Sequence, residues 1–316
     1  MKKFLVVAPR LDISFKEGVI PPYRGVIPPI RVYWQKFIES LVKRLTEMGT
    51  VEYIEIPLWT LNENSYDYSK YTACFIPHHQ KKSFLKQEAH SNLYYYMQTS
   101  FPEFFTVDKE GWAGSLSFLP LEIYDFDEHN NFKYLKSKFD NNISKFEQPS
   151  KDYNKIGYVF FPCQLPHDQT IIYHSDISVE DALLNTIDVC KKLKRRLVVK
   201  GHPINPHSML GLKQICDGNN VEWVDDCNIK SLIKNSTEVV TVNSGVGFES
   251  IIGMKPVFTY GKSEYGQLTG NGNFHEWLKS EKNVDTRKIM NYIESLFQHY
   301  INSNGANMEV IDGIIK

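Results

Sequence analysis

Three short stretches of the chain gather residue types that can bind charge or break bonds. The first, Phe161-Pro162-Cys163-Gln164-Leu165-Pro166-His167-Asp168-Gln169, sets Gln164, His167, Asp168 and Gln169 close behind an apolar run. A carboxylate in such a place can act as a nucleophile or a base. The same Asp168 can instead cap the helix that follows, and the residues alone do not separate the two roles. The second is Lys200-Gly201-His202-Pro203. Gly201 permits close backbone approach, Lys200 offers charge, and His202 can hydrogen-bond or protonate a departing phosphate; a histidine with a purely structural task fits as well. The third is Thr241-Val242-Asn243-Ser244-Gly245-Val246-Gly247-Phe248-Glu249-Ser250. Two glycines in a strand-to-helix turn expose backbone N–H groups to the helix's positive end, which binds phosphate without a metal. An ordinary glycine turn with Asn243 or Ser244 as cap has the same pattern. The P-loop lysine and the full dinucleotide fingerprint are missing.

These stretches need strands to end just before them, and the patterning supplies such strands. Apolar runs at Ile156–Phe161, Leu197–Lys200, Val221–Val224, Glu238–Val242 and Val257–Tyr260 alternate with helical segments, the first opened by Ser178 as N-cap with Glu180 and Asp181 in its first turn. Such alternation predicts a parallel sheet with helices on both faces, and ligands bind at the carboxyl ends of its strands. Upstream, Phe4–Ala8, Val51–Ile56 and Ala73–Ile76 read as strands. Trp34, Phe37, Ile38, Leu41, Val42, Leu45 and Met48 mark an amphipathic helix that Gly49 stops. The paired Pro-Pro steps between Gly18 and Pro29 exclude a helix there. Residues from about Asp125 to Lys155, rich in Asp, Asn and Lys, read as a connector. A last amphipathic helix carries Ile289, Met290, Ile293, Leu296 and Phe297 on one face.

A length of 316 residues suits two domains. The expected division is 1–150 and 151–316, with the last helix free to pack back on the first domain. A net charge of -1 removes the basic excess that nucleic-acid binding would need. The five cysteines are odd in number and lack CxxC spacing, so neither a zinc site nor a disulfide framework is expected. The apolar run behind Met1-Lys2-Lys3 is too short for a secretory signal, and no run suffices to span a membrane. Cytoplasmic placement is the expectation, with peripheral association at the inner membrane face left open. Asp-x-Asp spacing is absent from 151–316; Asp125-Phe126-Asp127 in the connector reads as a solvated loop.

Taken in order, Gln164-Leu165-Pro166-His167-Asp168-Gln169, Lys200-Gly201-His202-Pro203 and Asn243-Ser244-Gly245-Val246-Gly247-Phe248-Glu249-Ser250, with Gly253-Met254-Lys255-Pro256-Val257 close behind, resemble the capsule polysaccharide synthesis family, which includes retaining β-Kdo glycosyltransferases. Asp108-Lys109-Glu110-Gly111-Trp112-Ala113-Gly114 also looks familial. The resemblance spans about residues 156–265. It implies a GT-B-like α/β fold, two Rossmann-like domains facing each other across a cleft. It also implies a CMP-linked Kdo donor and a glycan or glycolipid acceptor in surface polysaccharide synthesis. By position, Asp168 would be the nucleophile and His202 would stabilise the leaving phosphate. Asn243, Ser244 and Gly245 would bind that phosphate, with Lys200 adding charge. Gln164, Gln169, Gly201, Val246, Gly247 and Glu249 complete the expected donor set. With a single phosphate, a helix terminus and a histidine can replace a metal, so neither metal nor cofactor is expected. Arg10, Arg24 and Trp112, with His78 and His79, are the acceptor candidates in the first domain. A different donor, CMP-sialic acid or a UDP sugar, and an inactive glycan-binding subunit are the alternatives.

Overall fold

A computed structural model of the chain describes residues 1–10, 31–57, 61, 65–83, 91–204 and 207–315. Arg24 and the Pro-Pro steps lie outside the described residues. Contacts divide the chain into one unit of Met1–Leu119 with Leu296–Lys316 and a second of Pro120–Ser295. The first boundary therefore falls well before the expected 150/151. Residues that read as a connector belong to the second unit, where Phe139 fills the space over Gly253, leaving no room there for a Cβ.

The first unit opens with β1 (Lys2–Pro9), α1 (Val32–Met48) and β2 (Gly49–Ile56), as the periodicity predicts. Trp34, Phe37, Ile38, Leu41 and Leu45 are the buried stripe of α1. Gly49 ends α1 and at once begins β2; a Cβ there would sit 2.2 Å from the Lys2 carbonyl oxygen across the strand pair, so only glycine fits. Next come β3 (Ala73–Pro77), β4 (Leu93–Gln98) and β5 (Phe104–Asp108). The Tyr-rich β4 is not evident from alternation, because it is buried on both faces and so lacks a polar phase.

The second unit begins with α2 (Asn130–Asp140) and β6 (Val159–Pro162), then α3 (Gln169–His174), α4 (Val179–Lys192) and β7 (Leu197–Lys200). It continues with α5 (Leu210–Gly218), β8 (Glu222–Trp223), α6 (Ile229–Asn235), β9 (Glu238–Thr241), α7 (Gly245–Ile252), β10 (Val257–Thr259) and α8 (Phe274–Lys279). Ser178 caps α4 through the Asp181 N–H, as its sequence position suggests. After α9 (Thr286–Phe297) the chain returns to the first unit with β11 (Ile301–Asn302) and α10 (Val310–Ile315). The first sheet runs β11-β5-β4-β3-β1-β2, parallel from β4 to β2 and antiparallel at β5 and β11.

The second sheet is wholly parallel, in the order β10-β9-β6-β7-β8. The chain first steps outward from β6 through β7 to β8. It then crosses back to β9 on the other side of β6. That reversal creates a switch point between the neighbours β6 and β9, where helices leave toward opposite faces and a crevice opens at the strands' carboxyl ends. All three chemistry-bearing stretches leave from this edge. Both units are α/β, in line with the expected fold class. The five cysteines are free and buried, with no disulfide among them.

Candidate functional site

At the switch point the exits of β6 and β9 are bolted together by two amides. Gln164 Nε2 donates to Asn243 Oδ1 (2.8 Å) and to Thr170 Oγ1 (3.3 Å). Its Oε1 accepts from the Asn243 N–H (3.0 Å) and from Thr241 Oγ1 (3.2 Å). Asn243 Nδ2 donates to the carbonyls of Thr170 (2.8 Å) and Lys262 (3.4 Å). Both amide hydrogens of each side chain are therefore in use. Both residues are buried. Gln164 and Asn243, expected in the donor set, here set the spacing of two loops. Thr170 and Thr241, which the motifs did not single out, complete the network.

Asp168 stands at the end of the β6 loop and caps α3: its Oδ1 accepts from the Thr170 N–H (2.8 Å) and from Thr170 Oγ1 (2.9 Å). The capping alternative thus describes one carboxylate oxygen. Asp168 is only half-buried, and Gln169 opens α3 beside it. A carboxylate held by one oxygen keeps its second for other work, so capping and chemistry are compatible.

His202 follows β7 and is half-buried. The Ile204 N–H donates to its Nδ1 (3.3 Å), which puts the proton of the neutral ring on Nε2. Burial pushes its pKa down to about 4; the Asp168 charge acts the other way, and Lys145 lowers it further. His202 is thus a neutral hydrogen-bond donor near pH 7, not an imidazolium. The Phe146 ring meets it edge-on, with centroids 5.4 Å apart and planes at 70°. Phe146 and Lys145 come from the segment read as a connector. No spacing in the sequence ties them to His202.

Lys200, expected to add charge to the donor site, is turned inward. It is 3% exposed, and its Nζ donates to the Asp225 carbonyl (2.8 Å). Burial lowers its pKa, and Asp225 partly offsets this. Gly201 is needed for packing: a Cβ would lie 2.7 Å from the Trp223 ring and 2.8 Å from Asp225 Oδ1. The Trp223 indole in turn donates to Asp225 (2.7 Å), so the loop after β8 is closed by its own partners.

On the β9 side, Ser244 caps α7, its Oγ accepting from the Val246 N–H (3.2 Å). The Gly247 N–H goes to the Ser244 carbonyl (2.8 Å), which also accepts from the Tyr265 hydroxyl. Gly247 is glycine because Tyr265 Oη would stand 2.5 Å from a Cβ. Its lack of a side chain makes room for Tyr265. Ser244, Gly245 and Val246 are half-exposed, and Gly245 is the first residue of α7. Glu249 faces inward from α7 and pairs with Lys230 of α6 (2.7 Å). Lys230 is 2% exposed, and burial lowers its pKa against the pull of Glu249. One Glu249 oxygen is thus committed to fixing α6 on α7.

In the first unit, Trp112 is 2% exposed, so a sugar cannot stack on it without unpacking the core, and its expected acceptor role is corrected. The nearby Asp108 organises the loop, accepting from the N–H groups of Glu110 (2.7 Å), Gly111 (3.3 Å) and Ser117 (3.0 Å) and from Ser117 Oγ (2.6 Å). Arg10 directly follows β1, half-buried, its N–H bonded to the Ile56 carbonyl (3.0 Å). His78 stacks on Trp34, 4.8 Å between centroids, and His79 lies beside it. In the Asp-x-Asp spacing at 125–127, the first carboxylate is engaged within the protein. Asp125 holds Arg287 (2.9 Å) and Asn291 (2.6 Å) on α9. Among the described residues no three His, Cys, Asp or Glu side chains cluster as metal ligands, and no helix is long and apolar enough to cross a membrane.

Residues 67–304 match the sequence model of a family described as capsule polysaccharide biosynthesis protein. A segment of 114 residues is 31% identical to protein FixF of Sinorhizobium fredii; it spans 34% of this chain and only 27% of FixF. Among solved structures, the β-Kdo 2,7 transferase of KpsC from Thermosulfurimonas dismutans is similar at 16% identity, over 99% of this chain and 100% of that one, with a TM-score of 0.54. The β-Kdo 2,4 transferase of the same KpsC is similar at 15% identity over 90% and 94%, also with a TM-score of 0.54. These two likenesses concern the fold, which is of the GT-B class.

Proposed function

Because the chain belongs to the capsule polysaccharide biosynthesis protein family, we propose that it is a glycosyltransferase that moves an acidic ulosonic sugar, Kdo, from its CMP-linked form to a glycan or glycolipid. What carries this reading is the common placement of Asp168, His202 and the opening of α7 at the carboxyl ends of β6, β7 and β9. All three follow strands of one parallel sheet, and the Gln164–Asn243 bond holds the exits of β6 and β9 at a set distance. A nucleophile, a hydrogen-bond donor for a leaving oxygen and a phosphate-binding helix end are the parts that a two-step transfer needs.

In the first step a carboxylate oxygen of Asp168 bonds to the anomeric carbon. The bond from that carbon to the phosphate oxygen breaks, and CMP departs with the electron pair. His202 Nε2–H and the Gly245 N–H donate to the phosphate as charge gathers there. In the second step the acceptor hydroxyl oxygen displaces the carboxylate and its proton passes to solvent, giving net retention. The donor needs only one phosphate to be held, a task a helix end performs without a metal.

Release of CMP from CMP-Kdo, followed with and without an acceptor glycan, tests the donor assignment. Calorimetry with CMP, UDP and GDP should show tight binding for CMP alone; equal or tighter binding of UDP overturns it. Intact-protein mass spectrometry after brief exposure to donor should trap a sugar adduct that Asp168→Asn lacks.

A further inference from the structure

The stretch between α2 and β6 is strapped along the second unit rather than merely spanning it. Gln148 Oε1 accepts from the Ile229 N–H at the start of α6 (3.3 Å), and its Nε2 donates to the Phe146 carbonyl (3.2 Å). The Asn228 N–H donates to the Lys151 carbonyl (2.7 Å), and the Tyr153 N–H donates to Ser231 Oγ (2.8 Å). Lys151 also pairs with Asp226 (2.5 Å). These bonds tie the strap to the first turn of α6 and to the loop before it, the same loop that Lys200 anchors from within the sheet. Their result is the position of Phe146 against the His202 ring. Lys145 Nζ lies 6.0 Å from the centre of the Phe146 ring. The charges acting on His202 are Asp168, from the cap of α3, and Lys145, from the strap.

An anionic donor needs a cation near the bond that breaks, and Lys200 is a poor supplier because its ammonium is buried on a carbonyl. We infer that Lys145 is the cation of the donor site, binding an anionic oxygen of the donor beside His202 while Phe146 holds the ring in place. This rests on the donor reading above. The recognised chemistry is an oxyanion, either the nucleotide phosphate or the sugar carboxylate. A half-buried lysine gains from such a partner more than a fully solvated one, since water screens the attraction less. As the phosphate departs it gathers charge, so a fixed cation there also favours the transition state.

The test compares Lys145→Gln, which removes the charge, with Lys145→Arg, which keeps it. Affinity for CMP is read by calorimetry, and KM and kcat by CMP release from CMP-Kdo. With Lys145→Gln, CMP affinity should fall roughly tenfold or more if the contact is to phosphate, the scale of one charge-assisted hydrogen bond. If the contact is to the carboxylate, CMP affinity stays and KM for CMP-Kdo rises by a similar factor. Lys145→Arg should restore most of either loss. NMR titration of His202 adds a readout that a packing defect would not move in a set direction: its pKa should rise when the neighbouring charge is removed. Unchanged CMP affinity together with unchanged donor KM overturns the inference. If wild type neither binds CMP nor releases it, the donor reading fails on its own. Binding of inorganic phosphate then decides for Lys145: weakened in Lys145→Gln supports it, equal to wild type overturns it.

Discussion

Gln164 and Asn243, buried just past β6 and β9, form the floor of the candidate site, while the half-buried Asp168, His202 and Ser244, after β6, β7 and β9, form its rim. In one dimension the two sets look alike, polar residues just past apolar strands. Their atoms differ in what remains open. The floor amides use all four of their N–H hydrogens within the protein. On the rim, Asp168 is engaged through one oxygen, and His202 accepts through one nitrogen and keeps the N–H of the other. Saturated groups can hold a shape but cannot take up a ligand without first breaking a bond. Groups with an open valence can do both. The first unit repeats the lesson, for its familial Asp108 loop is closed on itself and Trp112 is sealed in the core.

The largest effect should come from the rim. Asp168→Asn keeps an oxygen for the cap, since Asn and Asp cap about equally well. It should melt near wild type and lose more activity than any other single change. Full activity in that variant would reduce Asp168 to a cap. Next, His202→Ala should lower kcat by roughly 10²–10³-fold, the scale of losing one transition-state donor. A change confined to KM would mean that the ring only binds.

The floor should behave differently. Gln164→Ala removes the partners of the Asn243 side-chain oxygen Oδ1 and backbone N–H. The cost is about 1–3 kcal/mol of stability, visible in urea unfolding. Asn243→Ala should cost a similar amount, and the double variant less than the sum, because both remove one shared bond. Additive losses would sink the claim that the two act as a unit.

The smallest effect concerns pH. His202 has a folded pKa of about 4, against roughly 6.5 in an unfolded chain. Between those values the unfolded chain binds more protons, so stability rises with pH across the window and is lost as pH falls through it. Urea midpoints at several pH values from 4 to 7 should show a shallower slope for His202→Gln than for wild type. Parallel slopes would mean that the ring is solvated.

Much of this was legible from sequence for a local reason. Helix periodicity, the Ser178 cap and the alternation of strands and helices depend on residues a few positions apart, whose geometry the backbone dictates. Strand ends, and hence the places where chemistry can sit, follow from that pattern. Even the capping role of Asp168 was readable as an alternative, because its partner Thr170 is two residues away. Sequence did not reveal β4, whose buried tyrosines carry no polar phase, or the strap that brings Lys145 and Phe146 to His202. Nor could it say which polar groups are saturated. Gln164 and Asn243 are 79 residues apart, and Lys200 and Asp225 are 25 apart. Whether a side chain has a hydrogen left for a ligand depends on such distant partners, and only the packing of β6, β7 and β9 side by side brings them within reach.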